Sequence, residues 1–422
     1  MMNLYNAALL PLRGVAEVWA RFQELTGARA DEWGERLART LPSVAPGGVW
    51  IHGSSVGEAR LVGLIAGALR ERRPTLGLVA SAFTPTGRAA LPNPPSVDAC
   101  FFAPLDFRGP VARVLEALRP AALVLIETEL WPNWLNESAH REVAVFVLNG
   151  RLSERRMNRY RRFAALYRPL FARVSAVGAQ SAADAARFAE LGVAAAAISV
   201  TGNIKYDLPS PADDPADLRT DLGLDPVRPV WVAGSTADGE DAMVVRAFER
   251  AREVRGDLLL VLAPRHPERC TEVARMLTAR GHEPVRLSEL AGRPVHPRGA
   301  VLLVDTLGML SRLYRLATVA FVGGSLTPVG GHNVLEPVAV GVPVLFGPHT
   351  ENVAEPAAEL ERAGAGRRVL DTQELGEAVR HLLEDEPARR RMILAGDAVL
   401  TANRGALGRS LDLLAPALRV AR

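Results

Sequence analysis

The chain has 422 residues, 48% hydrophobic and 23% charged, an ordinary globular balance that excludes a disordered or fibrous protein. At roughly 150 residues per domain it has room for two or three domains. A net charge of +3 is too small to argue for nucleic acid, and two cysteines, Cys100 and Cys270, exclude a disulfide scaffold or a cysteine-built metal cluster and suit a reducing compartment.

At the N-terminus, the apolar stretch 4–12 is shorter than the roughly 20 residues a spanning helix needs. Pro11 and Arg13 interrupt it, and no secretory cleavage site follows. Val15 to Leu25 carries apolar residues at helical spacing, with charges at Glu17, Arg21 and Glu24. This predicts an amphipathic helix that either lies on a membrane surface or caps a domain. From residue 48, short apolar runs alternate with helical periods. Strands are predicted at 49–52, 76–82, 122–126 and 143–148, and helices at 59–70, from 88 onward, and at 111–118. That is repeated βαβ and predicts a parallel sheet covered on both faces. The segment 207–215 is rich in proline and aspartate and reads as the start of a linker, 207–228. The alternation then restarts, with strands at 230–233, 258–263, 301–304, 319–322 and 342–346. The fold class is therefore α/β, with two Rossmann-like, doubly wound domains at 1–206 and 229–422. Ligands bind beyond the carboxyl ends of such strands, which places the expected site in a cleft between the domains.

The chemistry-bearing segments follow strands. His52-Gly53-Ser54-Ser55-Val56-Gly57-Glu58 ends a strand and opens a helix. Its amides attract anions, and Glu58 is either a helix-start glutamate or a general base toward a hydroxyl. Glu127-Thr128-Glu129-Leu130-Trp131-Pro132-Asn133 places two carboxylates at a strand end, where they share a side or diverge. Lys205 is the single lysine among 50 basic residues. Arginine cannot replace a compact ammonium in a tight site, and Lys205 suits a developing negative charge on phosphate or carboxylate. Arg265 follows another strand and either forks onto a phosphate or carboxylate or is a surface arginine on a loop. The run Gly323 to Pro337 has four glycines, then Asn333 at an expected helix cap and Glu336 in the first turn. Such a helix start can hold a phosphate, and its carboxylate can bind vicinal ribose hydroxyls, which points to a nucleotide-sugar site. His332 either packs, caps or takes part in catalysis. The segment 151–173 holds eight arginines and one glutamate and reads as a solvated helical face, with an anionic lipid or phosphorylated acceptor as the other reading. The eight histidines lack metal-ligand spacing, so no metal is expected.

Taken in order, these blocks resemble the 3-deoxy-D-manno-octulosonic acid (Kdo) transferases of lipopolysaccharide synthesis, from Trp33-Gly34-Glu35-Arg36 to near the C-terminus. The motifs that carry the resemblance are His52 to Glu58, Thr84-Pro85-Thr86-Gly87, Glu127 to Asn133, Asn149-Gly150-Arg151-Leu152-Ser153, Gly202 to Asp207, Pro264 to Arg269 and Gly323 to Pro337. The resemblance implies a GT-B glycosyltransferase that inverts configuration. It implies CMP-Kdo as donor, a lipid A precursor as acceptor, no metal, and residence on the cytoplasmic face of the inner membrane. By the resemblance Glu58 is the general base, and Glu127 and Lys205 stabilise the transition state. Pro264, Arg265, Leu307, Gly308, Met309, Asn333, Val334, Leu335 and Glu336 contact the CMP. The chain departs from the family pattern in three places. Leu307-Gly308-Met309 stands where Met-Gly-Glu is usual, Ala237 stands where histidine follows Ser-Thr, and the N-terminal anchor is shorter. Two other readings remain open: a GT-B transferase for a different sugar nucleotide or acceptor, or a non-catalytic descendant that binds nucleotide or membrane.

Overall fold

A computed structural model describes residues 1–27, 29–208, 214–290 and 300–420. The chain forms two compact units. The first comprises Met1–Leu208 together with Arg404–Arg422, and the second is Pro209–Asn403.

The first unit is built on a seven-stranded, all-parallel sheet. Its strands are β1 (Val49–His52), β2 (Leu78–Ala82), β3 (Ala99–Phe102), β4 (Ala122–Ile126), β5 (Ala144–Gly150), β6 (Ala176–Ala179) and β7 (Ile198–Val200). They lie in the order β3-β2-β1-β4-β5-β6-β7. Every residue of β1, β2 and β4 is buried, as strands covered on both faces require. One core, around Trp50, Phe101, Trp134 and Phe171, fills one face, and a second, around Ile51, Ile65, Val124 and Leu148, fills the other.

The second unit repeats the plan. Its strands are β8 (Val230–Thr236), β9 (Leu259–Pro264), β10 (Pro284–Arg286), β11 (Val301–Leu303), β12 (Val319–Val322), β13 (Val344–Phe346) and β14 (Gly366–Arg368). Their order is β10-β11-β9-β8-β12-β13-β14, again all parallel. In both sheets the strand order reverses beside the first strand, between β1 and β4 and between β8 and β12. A doubly wound sheet opens its ligand crevice at that reversal.

Three expectations are corrected. The N-terminal helix is continuous over Met2–Thr26 and contains Pro11 rather than ending at it. Leu9, Ala16 and Ala20 of its inner face pack on Trp33, Leu37, Leu105 and Phe107, and the Tyr5 hydroxyl donates to Asp106 at 2.6 Å. That docking offsets the hydrogen bond lost at proline. Next, the domain boundaries differ from 1–206, 207–228 and 229–422. Within the expected linker, residues 209–213 lie outside the described residues. Pro215–Asp221 is a helix whose Leu218, with Leu222 and Leu224 beyond it, is buried in the second unit. The chain's last helix, Ala406–Val420, places Ala406, Leu411, Leu414 and Leu418 in a core of the first unit. Asp207 fastens its start by accepting from the amides of Gly405 and Leu407, each at 2.7 Å. Finally, the helix expected from Arg88 onward is the five-residue Pro85–Ala89, with Thr84 as its cap.

Candidate functional site

At the β1–β4 reversal the loop after β1 turns into the helix Val56–Arg72. Ser55 accepts from the amide of Glu58, and Glu58 Oε2 accepts in return from the amides of Ser54 and Ser55, a capping box. The loop amides expected to attract an anion therefore hold the chain's own carboxylate. One oxygen of Glu58 is fixed by this cap. Oε1 makes no hydrogen bond among the described residues. Burial, and then the charges of Glu127 and Glu129, push the Glu58 carboxyl up to about 7. The helix-start reading thus holds, and the cap orients a carboxyl poised near neutrality.

Glu127 follows β4 directly, and its backbone is left-handed, φ +60°. A non-glycine residue held there costs free energy and is maintained by its surroundings. Here the side chain is turned onto Lys205, whose Nζ donates to Oε1 at 2.8 Å. Both side chains are largely buried, 20% and 15% exposed. Burial acts to raise the Glu127 carboxyl, but Lys205, with Arg151 and Arg156, holds it below the ordinary range. Glu129 takes a separate partner, the Trp131 indole N–H at 3.0 Å, and burial raises its carboxyl. The two carboxylates therefore diverge in bonding, yet both act electrostatically on Glu58.

Lys205 sits in the turn Ile204–Asp207, and the turn is pinned from two sides. Asn149, itself at φ +56°, accepts from the amide of Ile204 at 2.9 Å, and Asn203 accepts from the amide of Lys205 at 3.0 Å. These asparagines explain the position of the chain's only lysine.

In the second unit, Pro264 ends β9 and Arg265 follows it, its amide donating to the carbonyl of Thr236 at 2.9 Å. Asn333 accepts from the amide of Leu335 at 3.2 Å, and its side-chain amide donates to Glu336 at 3.3 Å. Ser311 donates to the other oxygen of Glu336 at 3.1 Å, tying the stretch Leu307, Gly308 and Met309 to the Asn333 turn. Ser311 was not singled out from sequence. Its only signal is its place two residues after Met309. Leu307 is exposed and Gly308 adopts φ +85°. Val334 and Leu335 are buried, so they can present only main-chain atoms to a ligand. The helix that follows, Leu335–Ala339, has five residues and starts from Val334 rather than from Asn333 as its cap. His332 lies near Arg265 and His266. Burial, and then those two neighbours, lower its imidazole to about 4, so it stays neutral. His332 Nε2 and Thr327 Oγ1 are buried without a hydrogen-bond partner among the described residues, as is His52 Nε2. His52 is a core residue: fully buried, with Nδ1 on the Ser81 hydroxyl at 2.9 Å and its ring against Trp134.

Among the described residues, no group of three or more His, Cys, Asp or Glu side chains is arranged to hold a metal ion.

Residues 31–208 match the family model described as 3-deoxy-D-manno-octulosonic-acid transferase (kdotransferase). The chain is 36% identical over 379 residues to a 3-deoxy-D-manno-octulosonic acid transferase of Haemophilus influenzae, covering 88% of each chain. It is 34% identical over 430 residues to one from Bordetella pertussis, covering 96% of this chain and 97% of that one. Among solved structures, Anabaena HepE in complex with UDP-glucose superposes with a TM-score of 0.58 at 17% identity, covering 87% of this chain and 98% of that one. That likeness concerns the fold, a pair of doubly wound units.

Proposed function

This chain belongs to the 3-deoxy-D-manno-octulosonic acid (Kdo) transferase family, and on that premise we propose that it transfers Kdo from CMP-Kdo to a lipid A precursor with inversion at the anomeric carbon. The observation that carries the reading is Glu58: a carboxyl oriented by two amides, one oxygen left over, and ionising near neutral pH. A base works best when it ionises near the operating pH. In the proposed step, the acceptor hydroxyl oxygen bonds to the anomeric carbon and gives its proton to Glu58. The bond from that carbon to the phosphate oxygen breaks, and CMP leaves with the electron pair. The guanidinium of Arg265 is suited to the departing phosphate, and the Lys205 ammonium, held by Glu127, to negative charge developing in the transition state. Asn333, Glu336 and Ser311 form a polar cluster suited to ribose or base groups. Chelator-treated enzyme should turn over normally, because these roles are all filled by side chains.

The direct test is a donor panel with mass detection of product. We expect transfer from CMP-Kdo generated in situ and none from UDP-sugars. Turnover of a UDP-sugar with no response to CMP would move the reading to a different sugar nucleotide.

We further propose peripheral attachment to the inner membrane through the helix Met2–Thr26. No helix among the described residues is long and apolar enough to cross a membrane. The outer face of this one nevertheless exposes Leu4, Leu12, Val15, Val18, Phe22 and Leu25 along a single stripe. An apolar stripe of that kind lies in the interface plane of a bilayer. Vesicles containing anionic lipid should retain the protein on flotation, and Val18→Asp with Phe22→Asp should release it without changing CMP binding. Unchanged flotation of that double variant would refute the attachment.

A further inference from the structure

The loop Gly323–Thr327 leaves β12 at the strand-order reversal of the second sheet, where doubly wound units usually seat a ligand's phosphate. Its successive amides converge into an anion cradle. The cradle is already full. Glu240, from the start of the helix after β8, is completely buried and accepts five main-chain hydrogen bonds. Oε2 takes the amides of Ala237 and Gly324, and Oε1 those of Ser325, Leu326 and Thr327, at 2.5 to 3.3 Å. A Cβ added at Gly323 would lie 2.9 Å from Oε2 and 2.6 Å from the Thr236 Cα. The amides of Gly324 to Thr327 are thus all taken by Glu240.

The geometry points to Glu240 as a positioning residue for the nucleotide donor, an inference that rests on assigning donor binding to this unit. The clamped loop carries the next turn. The carbonyl of Gly324 accepts from the amide of Gly331 at 2.6 Å, and Ser325 accepts from the amides of His349 and Gly347 at 2.9 and 2.8 Å. Those bonds set the approach to Asn333 and Glu336. The adjacent residue does the same for the other donor loop. Asp241 accepts from the Thr236 hydroxyl at 2.6 Å and from Arg269, while the carbonyl of Thr236 holds the amide of Arg265. Neighbouring carboxylates on one helix start thus fix both donor loops before any donor arrives, so binding carries little loop-ordering cost. The donor phosphate is then gripped by side chains and not by the loop amides.

The test uses the full-length enzyme and CMP titration, with donor and acceptor kinetics. Wild-type binding of CMP checks the donor reading by itself. If wild type binds UMP instead, the comparison is made with UMP. Glu240→Gln keeps the volume but turns an NH2 group toward at least two N–H donors. We expect its nucleotide Kd and donor KM to rise at least tenfold, with acceptor KM and kcat at saturating donor within threefold of wild type. A loss confined to general stability would not split the constants in this way. Glu240→Asp, with the charge kept but withdrawn by one methylene, should show a smaller rise in the same two constants and provides the reading if Glu240→Gln does not fold. Wild-type nucleotide affinity in whichever of the two variants folds would overturn the inference.

Discussion

Glu58→Gln should lower the turnover of Kdo transfer about a thousandfold, within the range general bases contribute, while CMP affinity stays at the wild-type value. The glutamine oxygen can still accept from the Ser54 and Ser55 amides, so the helix start survives and the loss is one of chemistry. The pH profile gives a second reading of the same residue. The base works ionised, so kcat/KM of the wild type should climb with pH through an inflection near about 7. Glu129→Gln removes one like charge beside Glu58 and should move that inflection to lower pH. The same raised carboxyl works against the fold: its contribution to stability declines as pH rises from the ordinary carboxylate range toward 7. Calorimetric CMP binding alongside the transfer assay checks the case, and near-normal turnover of Glu58→Gln would remove the base from the mechanism.

Lys205→Met should cost about 10²–10³ in kcat, the scale of losing one charge-stabilising donor, and should also lower Tm. The second effect follows because Glu127 would stay mostly buried without its ammonium partner, a break worth up to roughly 3–5 kcal/mol, with Arg151 and Arg156 left to offset part of it. The double variant Lys205→Met/Glu127→Gln separates the two roles: Tm should recover and turnover should not. Lys205→Arg keeps the charge, but its wide planar fork does not fit the place of a compact ammonium, so a loss of at least about tenfold is expected. A double variant that regains turnover along with Tm would make the pair purely structural.

Much of this was legible in the sequence. The βα alternation, the two doubly wound units and the segments after β1, β4 and β9 all follow from apolar period and punctuation. Lys205 stood out through composition alone, and the structure places its ammonium on Glu127. What the sequence hid was decided by tertiary contact. The short strands β3, β6, β7, β10 and β14 offer three or four residues each and little periodic signal. Pro11 looked like a break because the docking of Leu9, Ala16 and Ala20 onto Trp33 and Phe107 cannot be read locally. The start of the Gly323–Pro337 run pointed to a nucleotide site, and only the fold reveals that Glu240 takes the amides of Gly324 to Thr327. In retrospect the clue was present: Gly57-Glu58 after β1 and Gly239-Glu240 after β8 occupy equivalent places in the two sheets. A related device, a helix-start glutamate accepting main-chain amides, leaves an oxygen available in the first unit, where the amides are those of its own turn, and is sealed in the second, where four of the five come from the loop after β12.

The return of the final helix to the first unit has a consequence for biosynthesis. A ribosome delivers Leu411, Leu414 and Leu418 after every other part of both cores, so the half that carries Glu58, Glu127 and Lys205 waits with one apolar face uncovered while the second unit is made. A premature stop near codon 404 would therefore spare the later-made half and cripple the earlier one, stripping Asp207 of the amides that steady it two residues from Lys205.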